Sequence, residues 1–158
     1  MQEPNVGDYF VVRTTGLAAR LIQIGTFSKW NHAGIYMGHG QIIEARPTGV
    51  TISPITKYAN NKIIWNTNHD TSLTAHERDK LSYYSRRFVG EKYGTWSIAA
   101  LAFRCLGVGL LPLDALAERE DRVICSQLVA WCYSRAGIKL TNKPHALVTP
   151  KDLAKRLS

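Results

Sequence analysis

Apolar residues in the first part of the chain come in short β-favouring runs broken by turn residues, and from residue 74 onward mostly at helical spacing. Residues 8–13 read as a strand, and Leu17, Leu21 and Ile24 share one helical face. Two strand-like runs, 31–37 and 41–45, flank the turn signal Gly38-His39-Gly40 and form a hairpin ending before Pro47. Further strands are expected at 51–53 and 62–66. Residues 74–89 form a helix: Thr74 caps it, Glu77 completes a capping box and Gly90 closes it. A later helix carries Leu128, Val129, Trp131, Cys132 and Tyr133 and stops at Gly137. The pattern gives an α+β fold, an antiparallel sheet packed against helices. With 158 residues, 45% of them hydrophobic, the whole span 1–158 is expected to be one domain around a single core. Glycines and prolines are scattered, leaving no linker, repeat or low-complexity tract.

The hairpin register makes a chemical statement. With Met37 opposite Gln41 across a three-residue loop, Ala33 faces Ala45 and Gly34 faces Glu44. Side chains alternate along a strand, so His32 and Glu44 then leave the same face as diagonal neighbours, roughly 7–8 Å apart at Cα. A two-residue loop would put them on opposite faces.

A cysteine completes the set. In Val123-Ile124-Cys125-Ser126-Gln127-Leu128, a strand-like approach turns into a helix pattern, which puts Cys125 in or beside the first helical turn. Backbone N–H groups are unpaired there and the helix dipole is positive, so a thiolate is favoured over a thiol. Cysteine, histidine and carboxylate are what nucleophilic acyl transfer needs. The imidazole takes the thiol proton, the sulfur attacks a carbonyl, and the third group fixes the ring.

Five ordered segments carry a resemblance. Residues 7–13, opening Gly7-Asp8, resemble the first strand of the NlpC-type papain-like superfamily in its circularly permuted form, a group related to the lecithin retinol acyltransferase-like proteins. Asn31-His32-Ala33-Gly34-Ile35-Tyr36 is similar to its histidine strand, and Ile42-Ile43-Glu44-Ala45 with Gly49-Val50 to the next strand and turn. Ile124-Cys125-Ser126-Gln127-Leu128-Val129 resembles the nucleophile helix, and Thr149-Pro150-Lys151-Asp152-Leu153 the closing segment. The resemblance implies a permuted papain-like fold with Cys125 as nucleophile at a helix N-terminus, His32 as base and Glu44 as orienting residue. It also implies an oxyanion or substrate role for Tyr93, although Gly94 stands where aspartate is usual. Asn31, beside the histidine, is an alternative orienting group or a substrate contact. His145, in the loop ahead of the closing segment, is a further substrate contact.

Other features narrow the class. Three cysteines make an odd number and lack CxxC spacing, so neither a complete disulfide framework nor a zinc site is expected. Cys105 and Cys132 read as core residues. His39, His69 and His76 read as surface residues, and neither cofactor nor metal is expected. Residues 98–113 hold a single charge, Arg104, but fall short of the ~20 residues a membrane span needs; they read as a buried helix and loop or as an acyl-chain groove. A net charge of +8 favours anionic surroundings such as cell-wall polymer, acidic lipid or membrane surface, while the scattered bases give no dedicated nucleic-acid site. Residues 1–5 carry no signal-peptide pattern, which implies a cytoplasmic protein unless lysis or a phage particle releases it. Three functions fit: a hydrolase cleaving an amide bond in a peptide or peptidoglycan-like substrate, a lipid acyltransferase or thioesterase with the same triad, and a non-catalytic module with a basic surface.

Overall fold

Strand β1 (Tyr9–Arg13) is apolar along almost its whole length, which suits a strand covered on both faces. The computed structural model, which describes residues 3–68, 72–93 and 122–157, places it inside a five-stranded sheet. The others are β2 (His32–Gly38), β3 (Gln41–Arg46), β4 (Gly49–Pro54) and β5 (Lys62–Trp65), in the spatial order β4-β3-β2-β1-β5 with every neighbour antiparallel. Helix α1 (Leu17–Thr26) connects β1 to β2, and a 3₁₀ turn, Ile55–Tyr58, follows β4. After α2 (Ala75–Arg87) come two short strands, β6 (Lys92–Tyr93) and β7 (Arg122–Val123), paired in parallel. Helices α3 (Cys125–Arg135) and α4 (Pro150–Lys155) close the described chain.

Period-two alternation sorts the sheet residues into two cores. Tyr9, Val11, Ala33, Ile35, Ile43 and Ala45 pack with Leu81 of α2, Leu128 and Cys132 of α3 and Leu153 of α4. The intervening Phe10, Val12 and Ile42 pack on the opposite face with Tyr58 and Trp65. Gly34 lies directly opposite Phe10. A Cβ there would sit 2.9 Å from the Phe10 ring and 2.8 Å from the Ile43 carbonyl oxygen, so glycine is what lets that ring cover the strand.

The hairpin differs from the sequence expectation at its tip. The turn has two residues, His39 and Gly40, both at positive φ (50° and 70°), and Gly38 rather than Met37 pairs with Gln41. Paired positive φ values match the right-handed twist of the flanking strands. A bulge between Tyr36 and Gly38 absorbs the extra residue, so Ile35 still faces Ile43 and Tyr36 still faces Ile42. The strands therefore keep the expected register, with His32 and Glu44 on one face.

Helix ends follow the local chemistry. Thr74 and Glu77 form the expected capping box, with Thr74 N–H donating to Glu77 Oε2 at 2.8 Å. The Thr149-Pro150-Lys151-Asp152 segment builds a second one: Thr149 N–H donates to Asp152 Oδ2 at 2.9 Å and Asp152 N–H to Thr149 Oγ1 at 3.2 Å, with Pro150 at the first helical position. Asp8 is fully buried and ties the first strand to the rest, accepting from Asn5 N–H (2.8 Å), Arg78 Nη1 (2.8 Å) and the Thr67 hydroxyl. These contacts give the Gly-Asp and Thr-Pro segments structural reasons for their residue types. Residues 98–113, with Cys105, and His69 lie outside the described residues. Among the described residues no helix is long and apolar enough to cross a membrane.

Candidate active site

Cys125 opens α3, as the sequence pattern implies. The two residues after it anchor the helix start: Ser126 Oγ donates to the Val148 carbonyl (2.6 Å), and Gln127 Nε2 to the Ala146 carbonyl (2.6 Å). Gln127 Oε1 accepts from Ile124 N–H at 3.2 Å, half of a capping box at the residue before the cysteine. At the far end Gly137 (φ 88°) stops the helix, with Ile138 N–H returning to the Tyr133 carbonyl.

His32 begins β2 and makes two contacts that define the site. Its Nε2 lies 2.7 Å from Glu44 Oε2, and its ring interacts electrostatically with Cys125. With Nε2 turned to the carboxylate, Nδ1 is the ring nitrogen left for the sulfur. Cys125 belongs to the helix-side core, whereas Glu44, between Ile43 and Ala45 and bonded to Tyr58, points to the other face. The imidazole thus links the two sides of the sheet at the start of β2.

The charges reinforce one another. Burial works against protonation of His32, but the Cys125 charge, hydrogen bonds to Cys125 and Glu44, and the Glu44 charge outweigh it, raising its pKa from 6.5 to about 9. Burial alone would raise the Glu44 pKa. Hydrogen bonding to and the charge of His32, followed by hydrogen bonds from Lys57 and Tyr58, instead hold it well below the ordinary carboxylate range. Such a cluster favours an imidazolium ring set between a sulfur and a fixed carboxylate.

The other expected site residues fall in different places. Asn31 is buried, and its amide is used on Thr14: Oδ1 accepts from Thr14 N–H (2.9 Å) and Oγ1 (3.0 Å), and Nδ2 donates to the Thr14 carbonyl (2.9 Å). It fixes the turn into β2 rather than the His32 ring, whose partner is Glu44. The backbone of Tyr93 in β6 is opposite Val123, two residues before Cys125. His145 lines a separate cavity of about 440 Å³ with Ala130, Ser134 and Lys139. Cys132 is buried, and burial, opposed only by a hydrogen bond with Ser85, pushes its thiol up to about 12. Sequence reasoning misses Lys57 and Tyr58. Both lie in a four-residue turn with no periodic signal, and only packing brings them to Glu44.

The family model described as the permuted papain-like amidase enzyme family, YaeF/YiiX, C92, matches residues 5–149. The chain belongs to that family. It is a cysteine peptidase or amidase-type hydrolase on a permuted papain-like fold. Among solved structures it is similar to the one titled crystal structure of metalloprotein yiiX from Escherichia coli O157:H7, with a TM-score of 0.62, 18% identity, and coverage of 98% of this chain and 83% of that one. That likeness is one of fold. No curated protein matches the chain.

Proposed function

We propose that this member of the permuted papain-like amidase family hydrolyses an amide bond through Cys125, His32 and Glu44. The observation that carries the reading is one imidazole bonded to a buried carboxylate and paired electrostatically with the cysteine at a helix start. In the proposed sequence the Cys125 thiolate attacks the carbonyl carbon, and the oxyanion forms beside the first turn of α3, whose N–H groups have no intrahelical partners. His32 passes its Nδ1 proton to the leaving amine as the C–N bond breaks, leaving a thioester on Cys125. The neutral ring then takes a proton from water, the hydroxide oxygen attacks the thioester, and the carboxylic acid leaves as the thiolate returns. Glu44 accepts a hydrogen bond from Nε2–H throughout and keeps the ring in one tautomer and orientation.

A peptide or peptidoglycan-like amide is the substrate class this reading favours, and the net charge of +8 suits an anionic polymer. The structural neighbour is titled a metalloprotein; among the described residues of this chain no group of three or more His, Cys, Asp or Glu side chains could hold a metal ion, and no metal enters the steps above. The test is to incubate the full chain with peptides and muropeptides, follow release of a free amine, and search by mass for an acyl group on the Cys125 peptide. Turnover that disappears in Cys125→Ala with the fold intact supports the reading. Undiminished turnover in Cys125→Ala overturns it.

A further inference from the structure

A carboxylate with no access to water needs more than one ring N–H to satisfy its two oxygens. The Glu44 side chain is 0% exposed, and the 3₁₀ turn Ile55–Tyr58 supplies the remaining donors: Lys57 Nζ donates to Oε1, and the Tyr58 hydroxyl donates to Oε2, the oxygen that also meets His32. We propose that Lys57 and Tyr58 are positioning residues of the thiol site, which grip both Glu44 oxygens from one turn and set how tightly His32 holds its proton. This rests on the catalytic reading above and extends it to two residues outside the triad.

The turn is built to hold that grip. Ile55 N–H donates to the Gly40 carbonyl at 2.8 Å, tying the turn to the β2–β3 hairpin that carries His32 and Glu44. Tyr58 is buried in the second core, its ring 5.8 Å from that of Phe10 and 5.9 Å from that of His32. Lys57 Nζ stands 5.1 Å from the Tyr58 ring centre, and its side chain is 24% exposed, so it is the arm of the cluster that reaches solvent. Each places its polar atom on a Glu44 oxygen. Both act through the carboxylate.

Charge decides what the grip does. The groups facing Glu44 and His32 are Cys125 from α3, Lys57 and Tyr58 from the turn, and Arg46 of β3, whose charge acts on Tyr58. Glu44 therefore lies between two cationic partners, Lys57 and His32, and divides its attraction between them. Removing Lys57 leaves that attraction to His32 alone, and the ring holds its proton more tightly. Removing the Glu44 charge does the opposite. A purely structural role for the turn predicts no such pair of opposite movements.

The test uses the full chain in wild-type, Lys57→Met, Lys57→Arg and Tyr58→Phe forms, with melting curves to establish folding. The His32 ring titration is followed by NMR, and Cys125 carboxymethylation by iodoacetate is measured against pH. In Lys57→Met the His32 midpoint should rise by roughly half to one pH unit, the scale expected for losing one nearby charge in a partly screened site. Lys57→Arg should restore the wild-type midpoint. Tyr58→Phe should raise it by less. A folded Lys57→Met chain whose midpoint is unchanged or lower overturns the proposal. If Lys57→Met does not fold, Tyr58→Phe decides: a raised midpoint supports the grip, an unchanged one removes it. These readouts need no amide substrate, so they can fail while Cys125-dependent hydrolysis stands, and the reverse.

Discussion

Glu44 Oε2 accepts from His32 Nε2 at 2.7 Å across a diagonal of β2 and β3, although the two residues stand twelve positions apart in the chain. The contact is cheap to hold because the sheet fixes both backbones, so little side-chain freedom is lost in making it. Glu44→Gln retains the shape and removes the charge. It should lower kcat/KM by about 10²-fold or more, the usual scale for losing correct acid–base function, with a smaller change in KM. The alkaline limb of the pH profile, set by His32 at about 9, should move down, because the Glu44 charge that helps the Cys125 charge hold the ring protonated is gone. Steady-state assays from pH 5 to 10 check both; an unmoved limb would show that Glu44 does not govern the ring.

The same titration appears in stability. His32 has a folded pKa raised from 6.5 to about 9, so the folded chain binds its proton more tightly than the unfolded chain does. That stabilisation is fully present below about pH 6.5 and is lost as pH rises through about 9. Glu44 and Asp152 run the other way: their pKa values are lowered, so their contributions are present at neutral pH and fade on acidification. Urea midpoints should therefore fall on both sides of neutrality. In His32→Gln the fall between pH 6.5 and 9 should flatten, and the acid limb should shrink to what Lys57, Tyr58 and Asp152 sustain.

Gly34 tests the sheet that holds the pair. It lies between His32 and Tyr36 on the strand face covered by Phe10, and an added Cβ would come within 3 Å of backbone and ring together. The Ile43 carbonyl is fixed by its ladder, so only the Phe10 ring can give way. Gly34→Ala should destabilise by about 1–3 kcal/mol, the range for overpacking a filled core. Thermal or urea unfolding measures the loss, and Phe10→Leu in the same chain should recover part of it. A neutral Gly34→Ala would mean that the ring has room to move.

Much of the site can be read in the residues because its geometry is local. Period-two alternation puts His32 and Glu44 on one face, and the switch from Val123-Ile124 to a helical spacing puts Cys125 at a helix start. The hairpin tip shows where such reading stops: two residues and a bulge replace a three-residue loop, and the two changes cancel in the strands. Lys57 and Tyr58 arrive by tertiary packing from a turn too short for any periodicity, and the β6–β7 pair has only two residues in each strand. Asn31 looks like a partner for its neighbour His32. Its amide instead bonds Thr14, seventeen residues away, a choice that only the closed loop can make.

Two cysteines of α3 lie seven positions apart and provide an internal comparison. Cys132 packs in the core, where burial pushes its thiol up to about 12, leaving roughly one thiolate in 10⁵ at pH 7. Cys125 is also buried, so exposure does not distinguish them. What differs is position and partner: Cys125 is the first residue of the helix and interacts with the His32 ring, which is held protonated, while Cys132 faces Ser85. Since the thiolate is the reacting species, iodoacetamide should alkylate Cys125 at least about 10²-fold faster than Cys132 at pH 7. Peptide mass mapping after timed quenching gives both rates from one sample. His32→Gln should slow Cys125 and leave Cys132 unchanged, because it removes the partner of one sulfur alone. Equal rates in the wild-type chain would show that the helix start and the imidazole do not activate Cys125, and the proposed nucleophile would have to be abandoned.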